Sequence, residues 1–500
     1  MREHSARAGR SVGTLFVCTL TALGSASAQE TPAAPPEAPP NLSREEVARQ
    51  AADIQVTPAA DAADEKRPWR LQRALDLPEW LIVGGTIRGR FEHTDERFRR
   101  DQNGHNQAFV MRSLLAITIQ DEILSVTGEL QDSRVYLSPD DALLNTTIVN
   151  TFELLQGYVA ARFVDAFTPN DRLRLQLGRH TMDIGSRRLT ARNRYRNTIN
   201  TFLGLNAQWA SEEGSAVRAF YTHPTNRLPG NGEQQRLRDN EVQFDEERSR
   251  NQFYGVHGSR ERLLGDVDAE LYYFGRRLGD VRGINVADRE IHSVGTRWKR
   301  ARKRGAYFWE VEGVYQFGDS RNGDSPDADL NHRAWFAHAS AGYNFDAAWQ
   351  PRIEALFDYA SGDRDPNDNE NNRFSTLFGA RRFEFGPTGI FGAFARANLI
   401  SPGIRFVGRI APKWELMVTS RQHFLASKRD SWTTTGLRDP DGNSGRFIGN
   451  LTEFRTRYNV VEQSLLLEFG AAYLSAGEFI RNTSDGEDSL YTYVQLNFTF

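Results

Sequence analysis

Apolar and polar residues alternate along most of the chain after Trp69. In the stretch "YTYVQLNFTF" at the C-terminal end, Val494, Leu496 and Phe498 fall on one side of an extended chain, and polar residues fall on the other. A period of two indicates β-strands, because successive side chains of a strand point to opposite faces. Strands with one apolar and one polar face are typical of a membrane barrel, which has lipid outside and water inside.

The connections between the predicted strands alternate between short and long. Short connections are predicted near residues 121–122, 165–170, 211–214, 260–265, 300–305, 346–350, 411–413 and 460–463. Long polar connections are predicted near residues 95–106, 134–151, 181–199, 224–249, 277–289, 319–331, 362–388, 428–447 and 481–488. Eight short and nine long connections join about 18 strands, an even number that lets an antiparallel bacterial barrel close. The sequence therefore predicts an all-β, transmembrane antiparallel β-barrel of about 18 strands, with both termini on the periplasmic side.

Residues 1–28 have the pattern of a signal peptide. Three arginines precede the apolar run "VGTLFVCTLTALG", and Ala26-Ser27-Ala28 supplies small residues at the cleavage site. The only cysteine, Cys18, lies within this run. The exported chain would thus contain no thiol, which excludes disulfides and thiolate metal sites and suits an oxidising envelope.

Residues 29–68 are rich in Ala, Pro and acids and contain no aromatic residue. This composition predicts a disordered, flexible periplasmic segment. The barrel is predicted to cover residues 69–500. Together, these features predict a protein of the Gram-negative outer membrane.

The exported chain is slightly acidic, with 59 Lys and Arg against 64 Asp and Glu after residue 28. A nucleic-acid-binding protein is more often basic overall, so charge and export both argue against that class. The stretch "SRRLTARNRYRN" (Ser186–Asn197) nevertheless holds five arginines and no acid. It falls in the third long connection, where we expect it to cap the barrel or to fold into it.

The charged residues of the strands are predicted to face the lumen, because an Arg or Lys facing lipid at mid-membrane costs roughly 2–4 kcal/mol. The pore-lining candidates are Arg88, Arg90, Arg112, Arg162, Arg174, Arg179, Arg187, Arg188, Arg192, Arg194, Arg405, Arg409, Glu129 and Glu453. Arginines that pair with acids across the lumen would fix its shape and fill it. Arginines left unpaired would attract anions, as rings of Arg or Lys do in anion-selective pores. We expect serine at Arg188, Arg192 and Arg194 to leave barrel assembly intact and to weaken anion selectivity.

Four collinear motifs resemble the bacterial alginate-export family. "LGRHTMDIGSRRLTARNRYRNTINTFLGL" (Leu177–Leu205) is similar to that family's Leu-Gly-Arg-Gln strand end, Gly-x-x-Arg-Leu loop and Phe-x-Gly return. The other three are "RFSTLFGARRFEFG" (Arg373–Gly386), "KWELMVTSRQHFLAS" (Lys413–Ser427), and "IGNLTEFRTRYN" followed by "FGAAYLSAGEFI". His180 stands where the family usually has Gln, and Arg382 where it usually has His.

The resemblance covers most of residues 80–500. It implies an 18-stranded outer-membrane barrel. It also implies that an anionic polysaccharide passes through an arginine-rich constriction by facilitated diffusion, without ATP.

Other functions are weighed against this one. An acyl hydrolase needs a Ser and a His within hydrogen-bond reach, and only His338 and Ser340 lie close together on one predicted face. No serine signature surrounds them, so we predict no enzymatic activity, and no histidine pattern predicts a metal or cofactor. A general or small-acid porin and a sealed structural barrel remain alternatives. The expected partners are outer-membrane lipid, the barrel-assembly machinery, and an anionic polysaccharide or small organic anion, with no nucleic acid and a monomeric barrel.

Overall fold

The computed structural model describes residues 68–95, 98–99, 105–279, 289–322, 325–484 and 486–500. These residues form one closed antiparallel sheet. The predicted signal peptide, and the predicted flexible segment up to residue 67, lie outside the described residues.

Eighteen strands of the described chain build the barrel wall. They are β1 (Leu81–Asp95), β2 (Asn106–Gln120), β3 (Leu124–Tyr136), β4 (Asn150–Val164), β5 (Arg172–His180), β6 (Phe202–Ala210), β7 (Ser215–Asn226), β8 (Asn251–Leu264), β9 (Val267–Leu278), β10 (Arg289–Arg300), β11 (Ala306–Asn322), β12 (Ser325–Asn344), β13 (Arg352–Ala360), β14 (Leu399–Ala411), β15 (Trp414–Phe424), β16 (Phe447–Val461), β17 (Leu465–Ala476) and β18 (Ser489–Thr499). Two strands of two residues each, Glu246–Glu247 and Glu370–Asn371, lie in the long loops.

The helices of the described residues are short: α1 (Leu71–Ala74), α2 (Gln234–Arg238), α3 (Arg382–Phe385) and α4 (Glu478–Ser484). None of them has the length and apolar character needed to cross a membrane.

Each barrel strand pairs with its neighbours in sequence, and β1 closes the ring against β18. This seam runs from Thr86 opposite Thr499 to Asp95 opposite Leu490. The barrel fold and the number of strands predicted from alternation and loop count are confirmed.

One predicted long connection, at residues 319–331, was wrong. Strands β11 and β12 continue through most of it, with Asp319 opposite Asn331 and Asn322 opposite Ser325. The reason is that a paired hairpin can extend into water, where both of its faces tolerate polar residues. Polarity alone therefore does not mark the end of a strand.

The two faces of the wall differ as the alternation predicted. Leu175, Leu177 and Leu205 point outward and are 43%, 60% and 58% exposed. Arg88 and Glu129 point inward and are buried. Apolar side chains thus cover the outer surface, and the inner face is polar.

Two long loops fold into the barrel and pair with each other. L3 (residues 181–201) joins β5 to β6, and L7 (residues 361–398) joins β13 to β14. The Phe378 N–H donates to the Leu189 carbonyl at 2.9 Å, and the Ala380 N–H donates to the Arg187 carbonyl at 2.9 Å. Gly379 lies so close to L3 that a Cβ there would be 1.7 Å from the Arg188 carbonyl oxygen. A glycine is therefore required where the two loops cross.

An apolar core lies in the loop layer at the long-loop end of the lumen. Phe385, Phe391 and Phe394 of L7 are buried together with Trp432 and with the α4 residue Phe479. The Phe394 ring stacks on His423 of β15, with centroids 3.6 Å apart. Burial of these rings stabilises the loops as a packed layer across the barrel, since apolar burial contributes about 25 cal/mol per Å².

Candidate substrate path in the barrel lumen

A cavity of about 770 Å³ lies inside the barrel at the short-turn end. Its walls include Arg302, in the turn after β10, Arg352, the first residue of β13, and Thr499, the last residue of β18. Residues of L3 and L7 form the side of the cavity that faces the loop layer. Since short turns of bacterial barrels face the periplasm, we name this cavity the periplasmic vestibule.

Twelve arginines and three glutamates line the vestibule. The arginines are Arg88, Arg112, Arg187, Arg192, Arg194, Arg196, Arg302, Arg352, Arg382, Arg405, Arg455 and Arg457, and the glutamates are Glu415, Glu453 and Glu468. A cleft lined by one sign of charge focuses the electric field and concentrates solutes of the opposite sign. The described lining of the vestibule therefore carries an excess of positive charge.

Five of these arginines form no ion pair with any described carboxylate. They are Arg88, Arg112, Arg187, Arg196 and Arg352. The Arg194 side chain is 65% exposed, and its nearest described carboxylate oxygen, on Asp183, is 3.9 Å away. Half of the vestibule arginines thus keep a charge that no close carboxylate balances.

The strand arginines Arg88 and Arg112 hold L3 in place through its backbone. Arg88 donates from Nη1 to the carbonyls of Arg194 and Tyr195, both at 2.9 Å, and from Nη2 to the Asn197 side chain at 2.9 Å. Arg112 donates to the Arg196 carbonyl at 2.9 Å. Carbonyl dipoles satisfy the donors without cancelling the charge, so these residues anchor the loop and remain cationic.

A second group of arginines, on the β9–β15 side of the lumen, is paired with acids. Arg188 of L3 contacts Glu310, Glu312 and Glu384, each at 2.5 Å. The remaining contacts of this group join Arg297 to Glu270 and Glu310, Arg396 to Glu384, and Arg421 to Asp358. These four arginines and five carboxylates form the balanced cluster, which ties L3 and L7 to the wall.

Asp358 and Glu384 of the balanced cluster and the neighbouring His338 place one ligand atom each within 4.8 Å of one another. Sequence spacing did not bring these three residues together. The carboxylates already accept hydrogen bonds from Arg188, Arg396 and Arg421. Arginine charge therefore takes the place that a cation would occupy at this trio.

Residues 79–493 match the family model described as alginate export. The chain belongs to the alginate export family. A comparison with the curated proteins finds no match.

Solved structures of outer-membrane proteins from Pseudomonas aeruginosa resemble this alginate-export-family barrel in fold. OpdK superimposes with a TM-score of 0.54 at 12% identity, over 84% of this chain and 98% of OpdK. OccK9 (OpdG) gives 0.53 and OccK8 (OprE) gives 0.52, each at 12% identity and with the same coverage. The family and the fold are those of outer-membrane transport channels. The protein is thus an outer-membrane channel of the alginate export family.

The fourteen candidate residues separate into two sets in this family member. Those that line the vestibule are Arg88, Arg112, Arg187, Arg192, Arg194, Arg405 and Glu453. Those outside its lining are Arg90, Arg162, Arg174, Arg179, Arg188, Arg409 and Glu129. Half of the candidates are thus brought together in one basic cavity.

Several candidates outside the vestibule pair inside the lumen. Arg90 contacts Glu92 at 2.6 Å and lies 4.1 Å from the centroid of the Tyr195 ring. Glu129 is buried and receives Arg192 of L3 at 2.6 Å. The Arg90 contact with Tyr195 and the Glu129 pair with Arg192 hold L3 against the wall at the strands opposite the balanced cluster.

Three other candidates lie along the wall or near the turns. Arg174 donates to Gln176 at 3.1 Å and to the Tyr158 hydroxyl at 3.3 Å. Arg162 is exposed and donates to the Asp121 carbonyl at 3.1 Å. Arg409 is exposed at the turn end of β14. Arg162 and Arg409 therefore face the periplasmic rim rather than the closed part of the lumen.

Arg179 lies at the loop end of β5, on the same face as Leu175 and Leu177, and is not brought to the vestibule. It pairs with Glu153 at 2.5 Å and with Glu247 at 2.6 Å. Burial and the charge of Glu153 raise the pKa of the neighbouring loop residue Asp245 to about 7, although hydrogen bonds from the Leu228 N–H and Asn150 oppose the rise. This extracellular rim carries a local excess of acid.

Sequence reasoning left several vestibule arginines out of the candidate set: Arg196, Arg302, Arg352, Arg382, Arg455 and Arg457. For Arg455 and Arg457, the alternation in "FRTRY" was a usable signal, since both lie on the face opposite Phe454. Arg352 begins β13 on the same face as Glu354 and Asp358, so alternation was a usable signal there as well. Arg302 lies in a short turn, where alternation ends, and no pattern in the sequence assigns it to the lumen.

Proposed function

We propose that this outer-membrane channel passes an anionic polysaccharide, or a related anionic solute, passively through its arginine-rich lumen. The observation that carries the proposal is the vestibule itself, with twelve arginines against three glutamates. Several arginines spread over one cavity suit a chain of carboxylates better than a single charge. A polymer can exchange one carboxylate at a time while others stay bound, so no single step loses all contacts.

The unpaired guanidinium groups would bind the carboxylates of the transported anion along the path. Arg187, Arg194 and Arg352 lie on its surface, and no described carboxylate comes closer to them than the 3.9 Å between Arg194 and Asp183. Arginine suits this role because its planar group binds carboxylates in pairs of hydrogen bonds. Binding must also stay weak enough for release, as in any conducting pore. Partial exposure to water provides that weakness.

A channel for small organic acids is the second candidate. The packed loop layer favours it, because buried Phe385, Phe391 and Phe394 fill the space that a polymer would have to cross at the long-loop end. In this alternative, L3 and L7 stay fixed and only small anions pass. The two functions share the barrel and the vestibule and differ in whether the loop layer opens.

Block of single-channel current separates the two functions. The purified channel is placed in a planar bilayer, and an oligomer of galacturonic acid is compared with the monomer, both added on the short-turn side. The polymer proposal expects half-block by the oligomer at a concentration at least about tenfold lower per uronate unit, because linked carboxylates bind with avidity. Equal block per unit favours the small-acid channel. Free cation flux with no block by either probe contradicts both.

A further inference from the structure

The described chain begins at the short-turn end of the barrel wall. The Trp69 N–H donates to the Ser464 hydroxyl, in the turn between β16 and β17, at 3.3 Å. The Trp69 ring packs on Phe498, on the outer face of β18, with centroids 5.8 Å apart. Leu466, two residues after Ser464, lines the vestibule. Trp69 is therefore attached at the rim of the barrel, at the same end as the vestibule.

Residues 29–67, which precede this tether, are acidic. They contain eight acids, Glu30, Glu37, Glu45, Glu46, Asp53, Asp61, Asp64 and Glu65, and four bases, Arg44, Arg49, Lys66 and Arg67. A chain spans at most about 3.3–3.6 Å per residue, so a segment of this length attached at the rim is long enough to reach into the vestibule. Tethering also raises the effective concentration of the segment to about the millimolar range.

We propose that residues 29–67 bind in the periplasmic vestibule as an intramolecular anionic ligand, in competition with the transported anion. The inference rests on the proposed function, because it needs the vestibule to be an anion site. Charge complementarity carries it: the segment has an excess of acids, and the vestibule contains Arg88, Arg112, Arg187, Arg196 and Arg352, which have no described carboxylate partner.

Competition by the segment gives the channel a preference for polymers. A single carboxylate displaces a tethered polyanion poorly, because the segment rebinds from a high effective concentration. A polyuronate presents many carboxylates and displaces it more easily. Competition would then weaken block by a single acid more than block by a polymer.

The test uses the full chain with its segment neutralised in place. In one variant the five glutamates of residues 29–67 become Gln and the three aspartates become Asn. In the matched control, Arg44, Arg49, Lys66 and Arg67 become Gln, which makes the segment more acidic. The measured quantity is the half-blocking concentration of galacturonic acid monomer and oligomer, added on the short-turn side in planar bilayers.

We expect the neutral variant to be blocked by the monomer at a concentration about threefold or more below that of the wild type, because it has lost its competitor. In the more acidic control, the half-blocking concentration of the monomer should rise above that of the wild type. A synthetic peptide of residues 29–67 added to the neutral variant should restore the wild-type value. Unchanged half-block in the neutral variant overturns this inference while the proposed function stands. Absence of any block in all variants overturns the proposed function as well.

Discussion

The periplasmic vestibule and the balanced cluster place arginine in two different surroundings within one lumen. In the vestibule, twelve arginines meet three glutamates, and strand arginines donate to loop carbonyls. In the balanced cluster, four arginines meet five carboxylates at short distances. The donors are guanidinium groups in both regions, and only the acceptors differ. A carbonyl satisfies a guanidinium and leaves its charge, whereas a carboxylate cancels it.

The comparison assigns separate roles to residues that are adjacent in sequence. Arg187 is exposed at the vestibule and forms no ion pair with a described carboxylate, whereas Arg188 is buried among three glutamates. These contacts change the expectation for serine at Arg188, Arg192 and Arg194. Arg188 and Arg192 hold buried carboxylates, so their loss would affect folding as well as selectivity. Only Arg194, with its exposed side chain, remains a clean site for testing selectivity.

Removing Arg188 is expected to have the largest effect on stability. Arg188→Met would leave Glu312 without an arginine partner and would remove one of two arginines from Glu310 and from Glu384. Breaking a buried pair in this way costs about 3–5 kcal/mol. Urea unfolding of the barrel in detergent, followed by tryptophan fluorescence, measures the change. Arg187→Met is the matched control and should change the free energy of unfolding by less than about 0.5 kcal/mol. An equal decrease in the free energy of unfolding in both variants would contradict the separate roles of the vestibule and the balanced cluster.

Arg88→Lys separates charge from anchoring and should have an intermediate effect. Lysine keeps the positive charge but cannot reproduce the fork of hydrogen bonds to Arg194, Tyr195 and Asn197. We expect L3 to lose about 1–2 kcal/mol of local stability, seen as faster amide hydrogen exchange in residues 181–201, with anion selectivity unchanged. Arg88→Gln, the control that removes the charge, should lower selectivity too. A loss of selectivity with Lys equal to that with Gln would contradict the anchoring role.

The smallest expected effect is a pH dependence of loop stability at the extracellular rim, where acids are in local excess. Because the folded pKa of Asp245 is raised to about 7, above an unfolded value of about 3.9, protonated Asp245 stabilises its loop. That stability is fully present below pH 3.9 and is lost as the pH rises through 7. We expect proteolysis within residues 227–250 to increase from pH 5 to pH 8. Asp245→Asn should flatten this dependence, and an unchanged pH profile in the variant would contradict the assignment.

Much of the fold could be predicted from the sequence, because alternation is a local property. Val494, Leu496 and Phe498 mark an outer face without reference to any other strand, and the turns between such stretches give the strand number. The exception at 319–331 arose where two strands continue beyond the membrane. There both faces of the hairpin meet water, so polar residues occupy both faces and alternation no longer marks the strands.

The site was less predictable because its pairings are not local. Arg188 meets Glu310 and Glu312 across more than a hundred residues of sequence, and only the inward path of L3 brings them together. Arg88 and Arg112 bind carbonyls, which every residue has, so no residue type signals the contact. Whether a lumen arginine is free or paired is therefore a property of tertiary structure.

The central claim is that the unpaired vestibule arginines, and not the balanced cluster, make the lumen favour anions. It is tested most directly by the reversal potential in a tenfold KCl gradient for the wild type and for a variant carrying Arg187→Gln, Arg194→Gln and Arg352→Gln. The account predicts an anion-favouring wild type and a permeability ratio lowered by about fivefold or more in the variant, since each charge contributes about 1 kcal/mol at a wet surface. An unchanged ratio in a correctly folded variant would contradict it.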